Sequence, residues 1–190
     1  MNTIKNLLLV LFLLIFSQAS IGQNAISDVK LFAERNLQSV LEKIPINDEV
    51  SFGFNNREEF KQAEIGEALE FVWYSETTDN SNKMWRVPVI VNGEYRALLN
   101  VQKKDNEYKI ADFGASVLAE DIQNVMNENK DKNVSGILRL TAITSDFLIV
   151  RSGDKEEYLP LTSAKMFINS REMELQKSYS SNNLIELINK

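Results

Sequence analysis

The chain has no cysteine and no histidine. Without cysteine there is no disulfide framework, no thiol nucleophile and no thiolate metal site, so packing must hold the fold. Without histidine there is no imidazole base. That excludes a Ser-His-Asp triad, haem held by a histidine, and the usual Cys/His zinc sites. Any catalysis would rest on carboxylates, a Ser–Lys pair, tyrosine, or a metal bound by oxygen. Glycine is scarce too: seven in 190 residues, scattered as punctuation, with no glycine-rich phosphate loop. Basic residues are outnumbered 21 to 27, a formal charge of −6. A nucleic-acid binder or a protein docked on anionic lipid needs a basic face, so neither partner is expected.

What is present is ordinary for a globular protein: 44% hydrophobic and 25% charged residues, in a length that suits one domain with a sizeable core. Long hydrophobic runs are missing except at the N-terminus. Lys5 precedes an unbroken apolar run from Leu7 to Phe16, followed by small residues with Ser20 and Gly22 at −3 and −1 of a cut before Gln23. This is the layout of a secretory signal peptide over 1–22, and ten apolar residues are too short to span a bilayer comfortably. Its removal takes away only Lys5 among the charged residues and leaves 20 basic against 27 acidic, a charge of −7. The expected protein is therefore exported, secreted or periplasmic, with no membrane attachment after cleavage.

Periodicity gives the elements. Val29, Phe32, Ala33, Leu37, Val40, Leu41 and Ile44 recur at helical spacing, with Ser27 as a natural N-cap and Pro45 as a stop. Val50 to Phe54 reads as a short strand. Asn56 and Glu59 imitate a capping box, with Gly66 at the end of that short helix. Leu69 to Ser75 is a strand rich in aromatic and β-branched residues. Glu107 to Phe113 reads as another after a tight turn. A second helix follows, with the apolar stripe Ala115, Leu118, Ala119, Ile122, Val125 and Met126. Three further strands (136–143, 147–152 and 156–161) precede two short terminal helices.

The segment MWRVPVIVNGEYRALLNV, Met84 to Val101, is a hairpin. Asn92-Gly93 suits a type I′ turn, which needs positive φ at both central residues. That turn sets Val91 opposite Glu94, Val89 opposite Arg96, Val87 opposite Leu98 and Trp85 opposite Asn100. Pro88 has no N–H to give a second neighbour, so strand 84–91 is expected at a sheet edge or bulged. The fold class is α+β, with helices packed on curved antiparallel β-meanders. In element order it is similar to cystatin-like and NTF2-like folds, where a helix lies on a meander. One domain over 23–190 is expected, the alternative being a division into 23–112 and 113–190.

Catalytic motifs are thin. Ser27-x-x-Lys30 matches part of the serine-acylase pattern, but the other elements of that class are missing, and a capping serine explains it better. Thr162-Ser163-Ala164-Lys165 reads the same way. Asn127, Asn129, Asp131 and Asn133 alternate like calcium ligands, yet Lys132 and Leu138 stand where an EF-hand loop needs Gly and Glu. Glu58-Glu59, Glu120-Asp121 and Glu156-Glu157 are paired in sequence with nothing to single one out. No catalytic residue, metal or cofactor is expected. The aromatics invite a recognition surface: Trp85, Val87 and Val89 on an edge open to strand addition, with Arg96 and Trp73 beside them, against the commoner use of such residues as core. The expected function is a secreted, non-enzymatic binding protein, in a specific form an inhibitor or accessory partner of an exported enzyme. The partner would be an exported protein or peptide. The alternative is an exported hydrolase that uses carboxylates.

Overall fold

A computed structural model of the chain describes residues 25–74, 83–153 and 155–189. The signal peptide expected over 1–22 and most of the loop after the strand Leu69–Tyr74 lie outside the described residues. The fold is α+β, built on a mixed sheet of eight strands. In chain order the main elements are helix α1 (25–41); strands β1 (Glu64–Ile65), β2 (Leu69–Tyr74), β3 (Lys83–Val91), β4 (Glu94–Lys104) and β5 (Glu107–Gly114); helix α2 (Ser116–Glu128); strands β6 (Val134–Leu140), β7 (Ser145–Ser152) and β8 (Lys155–Pro160); and helices α3 (Thr162–Ser170) and α4 (Ser181–Ile188). The strands run in the order β5-β4-β3-β2-β6-β7-β8, with β1 beside β3. All pairs are antiparallel except β2 with β6, which run parallel and join the two meanders. Purely antiparallel meanders were expected. A short, two-sided apolar run such as β6 carries no mark of the direction of its neighbour.

The sheet separates two layers of helices. On one face the α2 stripe of Ala119, Ile122 and Val125 packs on Leu69, Phe71, Leu98, Ile137, Leu148 and Leu159. On the other face α1 covers Trp85, Val87, Val89, Ala97, Leu99 and Val101. Helices α3 and α4 cover Leu138, Leu140, Ile149 and Tyr158 on that same side. Asp121 of α2 caps α3, accepting from the Thr162 N–H at 2.7 Å and from its hydroxyl at 2.8 Å, so one helix starts the next. Ser180 and Asn183 form a capping box on α4. Among the described residues no helix is long and apolar enough to cross a membrane.

Several local expectations are corrected. Helix α1 already includes 25 and 26, so Ser27 lies within it rather than capping it. Val50 to Phe54 is not a strand: Glu49–Phe52 is a 3₁₀ turn closed by Gly53 at φ 91°, and Phe54 plugs the core. Asn56 does cap the next turn, accepting from the Glu58 N–H. That turn ends at Gln62, well before Gly66, which instead donates its N–H to the Pro88 carbonyl at 2.8 Å. The hairpin turn is as read, with Asn92 and Gly93 at φ 53° and 79°. Beyond it a bulge at Arg96 shifts the register by one, so Val89 faces Ala97, Val87 faces Leu99 and Trp85 faces Val101. The shift gathers the apolar residues of both strands onto the α1 face and moves Asn100 to the other. Strand β3 is not an edge. It pairs with β4 on one side and with β1 and β2 on the other, and Pro88 falls in the gap between those two.

Candidate functional site

The residues nominated from the sequence do not form one surface. Trp85 is 2% exposed, and Val87 and Val89 are fully buried beneath α1. A partner chain cannot reach them without displacing that helix, so core packing is their role in this fold. Arg96 stands on the bulge. Its Nη2 donates to Glu59 Oε1 at 3.0 Å and its Nη1 pairs with Glu94 Oε2 at 2.9 Å. Glu59 also accepts from the Asn55 backbone N–H at 2.8 Å and the Asn55 amide at 2.7 Å, so the cluster fastens the 3₁₀ turn to β4. A polar cavity of about 420 Å³ opens beside it, bounded by Arg96, Tyr95, Ser116 and Gln123. Trp73 lies elsewhere, on the α2 face, edge-to-face with Phe71 at 4.6 Å.

The paired acids are tied down except Glu120, which is exposed on α2. Glu58 binds Lys61, Glu156 binds Arg151 and the Tyr158 hydroxyl, Glu157 binds Lys132, and Asp121 is the α3 cap. Burial pushes the Glu59 carboxyl up, but the Asn55 and Arg96 bonds outweigh it and leave it below the usual carboxylate value. The Arg151 and Tyr158 bonds hold Glu156 low, and the Lys132 bond holds Glu157 low. A general acid would need a carboxyl pushed the other way. Lys30 is raised by its bond to Glu67 at 2.6 Å, where a Ser–Lys base must be lowered. Ser163 accepts from the Asp146 N–H at 2.9 Å, a structural use. Among the described residues no three acidic side chains gather as a metal site would require.

One arrangement remains, on the α2 face of the sheet. Register places Arg86 beside Asn100, Asn100 beside Asp112, Trp73 beside Arg139, and Arg139 beside Asp146, all on the α2 face. Arg139 and Asp146 satisfy each other through two bonds, 2.8 and 2.7 Å. This bidentate geometry is the strong form of the contact. Arg86 is different. It is 8% exposed, its guanidinium carbon lies 4.0 Å over the centre of the Phe71 ring, and its Nε and Nη1 are buried with no hydrogen-bond partner. Across the register pair, Asn100 Oδ1 is also buried and unpartnered. Burial pushes the Arg86 guanidinium down, with Asp146 and Asp112 opposing and Arg139 adding to the effect. An unmet buried donor on a charged group is costly, and folded proteins rarely leave one without a use. The sequence carried a faint signal: Arg86 is the lone charge inside the apolar run Met84 to Val91. Comparison of the chain with protein-family models, curated proteins and solved structures found no match.

Proposed function

We propose that the chain is an exported, non-enzymatic binding protein, in its specific form an inhibitor or accessory partner of an exported enzyme. The observation that carries this reading is the contrast between its acids and Arg86. All the paired acids except the exposed Glu120 are engaged in ion pairs or a cap, and no displaced carboxylate moves in the direction acid catalysis needs. Arg86 instead holds buried, unused donors on a rigid strand, which suits recognition rather than proton transfer. Export is supported by the leader: a lysine, a ten-residue apolar run and small residues before Gln23.

Two measurements test it. N-terminal sequencing of material released by the producing cell should begin at Gln23, and a start at Met1 removes the export half. The purified chain should leave chromogenic glycosides, esters and peptide anilides intact between pH 4 and 8. Turnover that disappears in Glu59→Gln or Glu156→Gln would establish the hydrolase instead.

A further inference from the structure

The chemistry of the ligand follows from what Arg86 and its surroundings lack. Two guanidinium nitrogens are buried without acceptors, so the missing group is an acceptor, and an anion matches the charge. Asp146 is committed to Arg139 by both oxygens, so it is not free to supply that anion. Asp112, on the exposed side of Asn100, and Asp146 both act on Arg86 at longer range. With Arg139 and Asp146 neutralising each other, Arg86 is the one buried cation to be matched, and a single negative charge matches it without leaving an excess, which sets a carboxylate above a phosphate. Asn100 Oδ1 needs the opposite, a donor beside that carboxylate. The groups around the guanidinium are apolar: Phe71 under it, Trp73 packed on Phe71, and half-buried Met84 opposite Phe71 in the register.

We infer that Arg86 receives the carboxylate of an N-acylated α-amino acid, as at the C-terminal residue of a peptide. The adjoining amide N–H is taken by Asn100 Oδ1, and an apolar side chain rests on Phe71, Trp73 and Met84. The inference deepens the binding reading and rests on it. It also explains why a charge stands on a strand whose other inward residues are apolar.

The test uses N-acetyl-L-phenylalanine, its neutral primary amide, inorganic phosphate and N-acetyl-Ala-Ala-Phe, with thermal unfolding of the full mature chain as readout. The free acid should raise the midpoint, by about 3–6 °C once it exceeds Kd tenfold. The amide and phosphate should leave it unmoved. Arg86→Met fills the same space without a charge and should fold at least as well as the wild type. It should lose the response. Asn100→Asp, which sets a negative charge beside the carboxylate, should lose it as well. A larger shift with the tripeptide than with the single residue is expected of a chain end; an equal or smaller one overturns the peptide assignment. No shift with either acid, an equal shift with the amide, or a shift that survives Arg86→Met overturns the inference. In that last case the chain still binds, elsewhere. Hydrolysis of N-acetyl-L-phenylalanine methyl ester would overturn the binding reading itself.

Discussion

Single residues in this chain divide by whether their charges find a partner. Glu59 and Arg96 found theirs, at 90% and 83% side-chain burial, and the pair is sheltered enough to matter where exposed pairs such as Lys61 with Glu58 contribute little. The Glu59 carboxyl sits below its ordinary value of 4.5 when folded. Its contribution is therefore complete above pH 4.5 and is lost as pH falls through the lower folded value. Glu59→Gln should cost about 1–3 kcal/mol at pH 7, since Arg96 loses one partner. The gap from the wild type should close on acidification, which urea titrations at pH 7, 5 and 3 would read. A gap constant across that range means the carboxylate charge has no part in it. The sequence hinted at Glu59 only as a capping-box residue. Its true partners, Asn55 and Arg96, depend on a bulge that no local pattern announces. Arg86 stood out only as a lone charge in an apolar strand, which reads the same whether it ends in water or under its neighbours.

At the scale of elements, legibility tracks how local the cause is. Both tight turns follow from residues that tolerate positive φ: Asn92-Gly93 in the hairpin and Asp105-Asn106, at φ 53° and 65°, in the next turn. From Leu118 to Met126 the α2 stripe follows from spacing alone, with Ala119 and Ile122 fully buried, whereas Ala115, expected in the stripe, is the exposed residue before the helix at φ 54°. Ile122→Ala should then cost about 2–5 kcal/mol in chemical denaturation, and Leu118→Ala, at a half-buried position, should cost less. Equal losses would mean that α2 sits differently on the sheet. The register of the hairpin was legible only as far as Tyr95. Past it the bulge at Arg96 wins, because without it Arg96 and Asn100 would point into the α1 core. The strand expected at Val50 to Phe54 fails for a similar reason: the left-handed Gly53 and a buried Phe54 serve a turn that passes over β4, where a side chain at 53 would strike the Arg96 carbonyl.

For the whole molecule, the decisive contact is the parallel seam between β2 and β6, invisible in the sequence because its two strands stand more than sixty residues apart and each reads only as an apolar run. The α2-face cluster crosses this seam, joining Leu69, Phe71 and Leu98 of the first meander to Ile137, Leu148 and Leu159 of the second. Neither meander can expose that cluster without stripping the other. Unfolding should accordingly be one transition, with the same midpoint by tryptophan fluorescence, which reads Trp85 in the first meander and Trp73 on the seam, and by far-ultraviolet circular dichroism, which reads the entire chain. Gly136 offers the sharpest lever. A Cβ there would lie 2.6 Å from the Glu70 carbonyl on the facing strand, a backbone atom that cannot swing aside. Gly136→Ala must push β6 from β2 and should cost about 1–3 kcal/mol, the usual price of overpacking. If the sheet acts as one unit, both probes shift to the same lower midpoint. If fluorescence keeps its wild-type midpoint while circular dichroism splits into two steps, the meanders unfold separately, and the chain divides near residue 113.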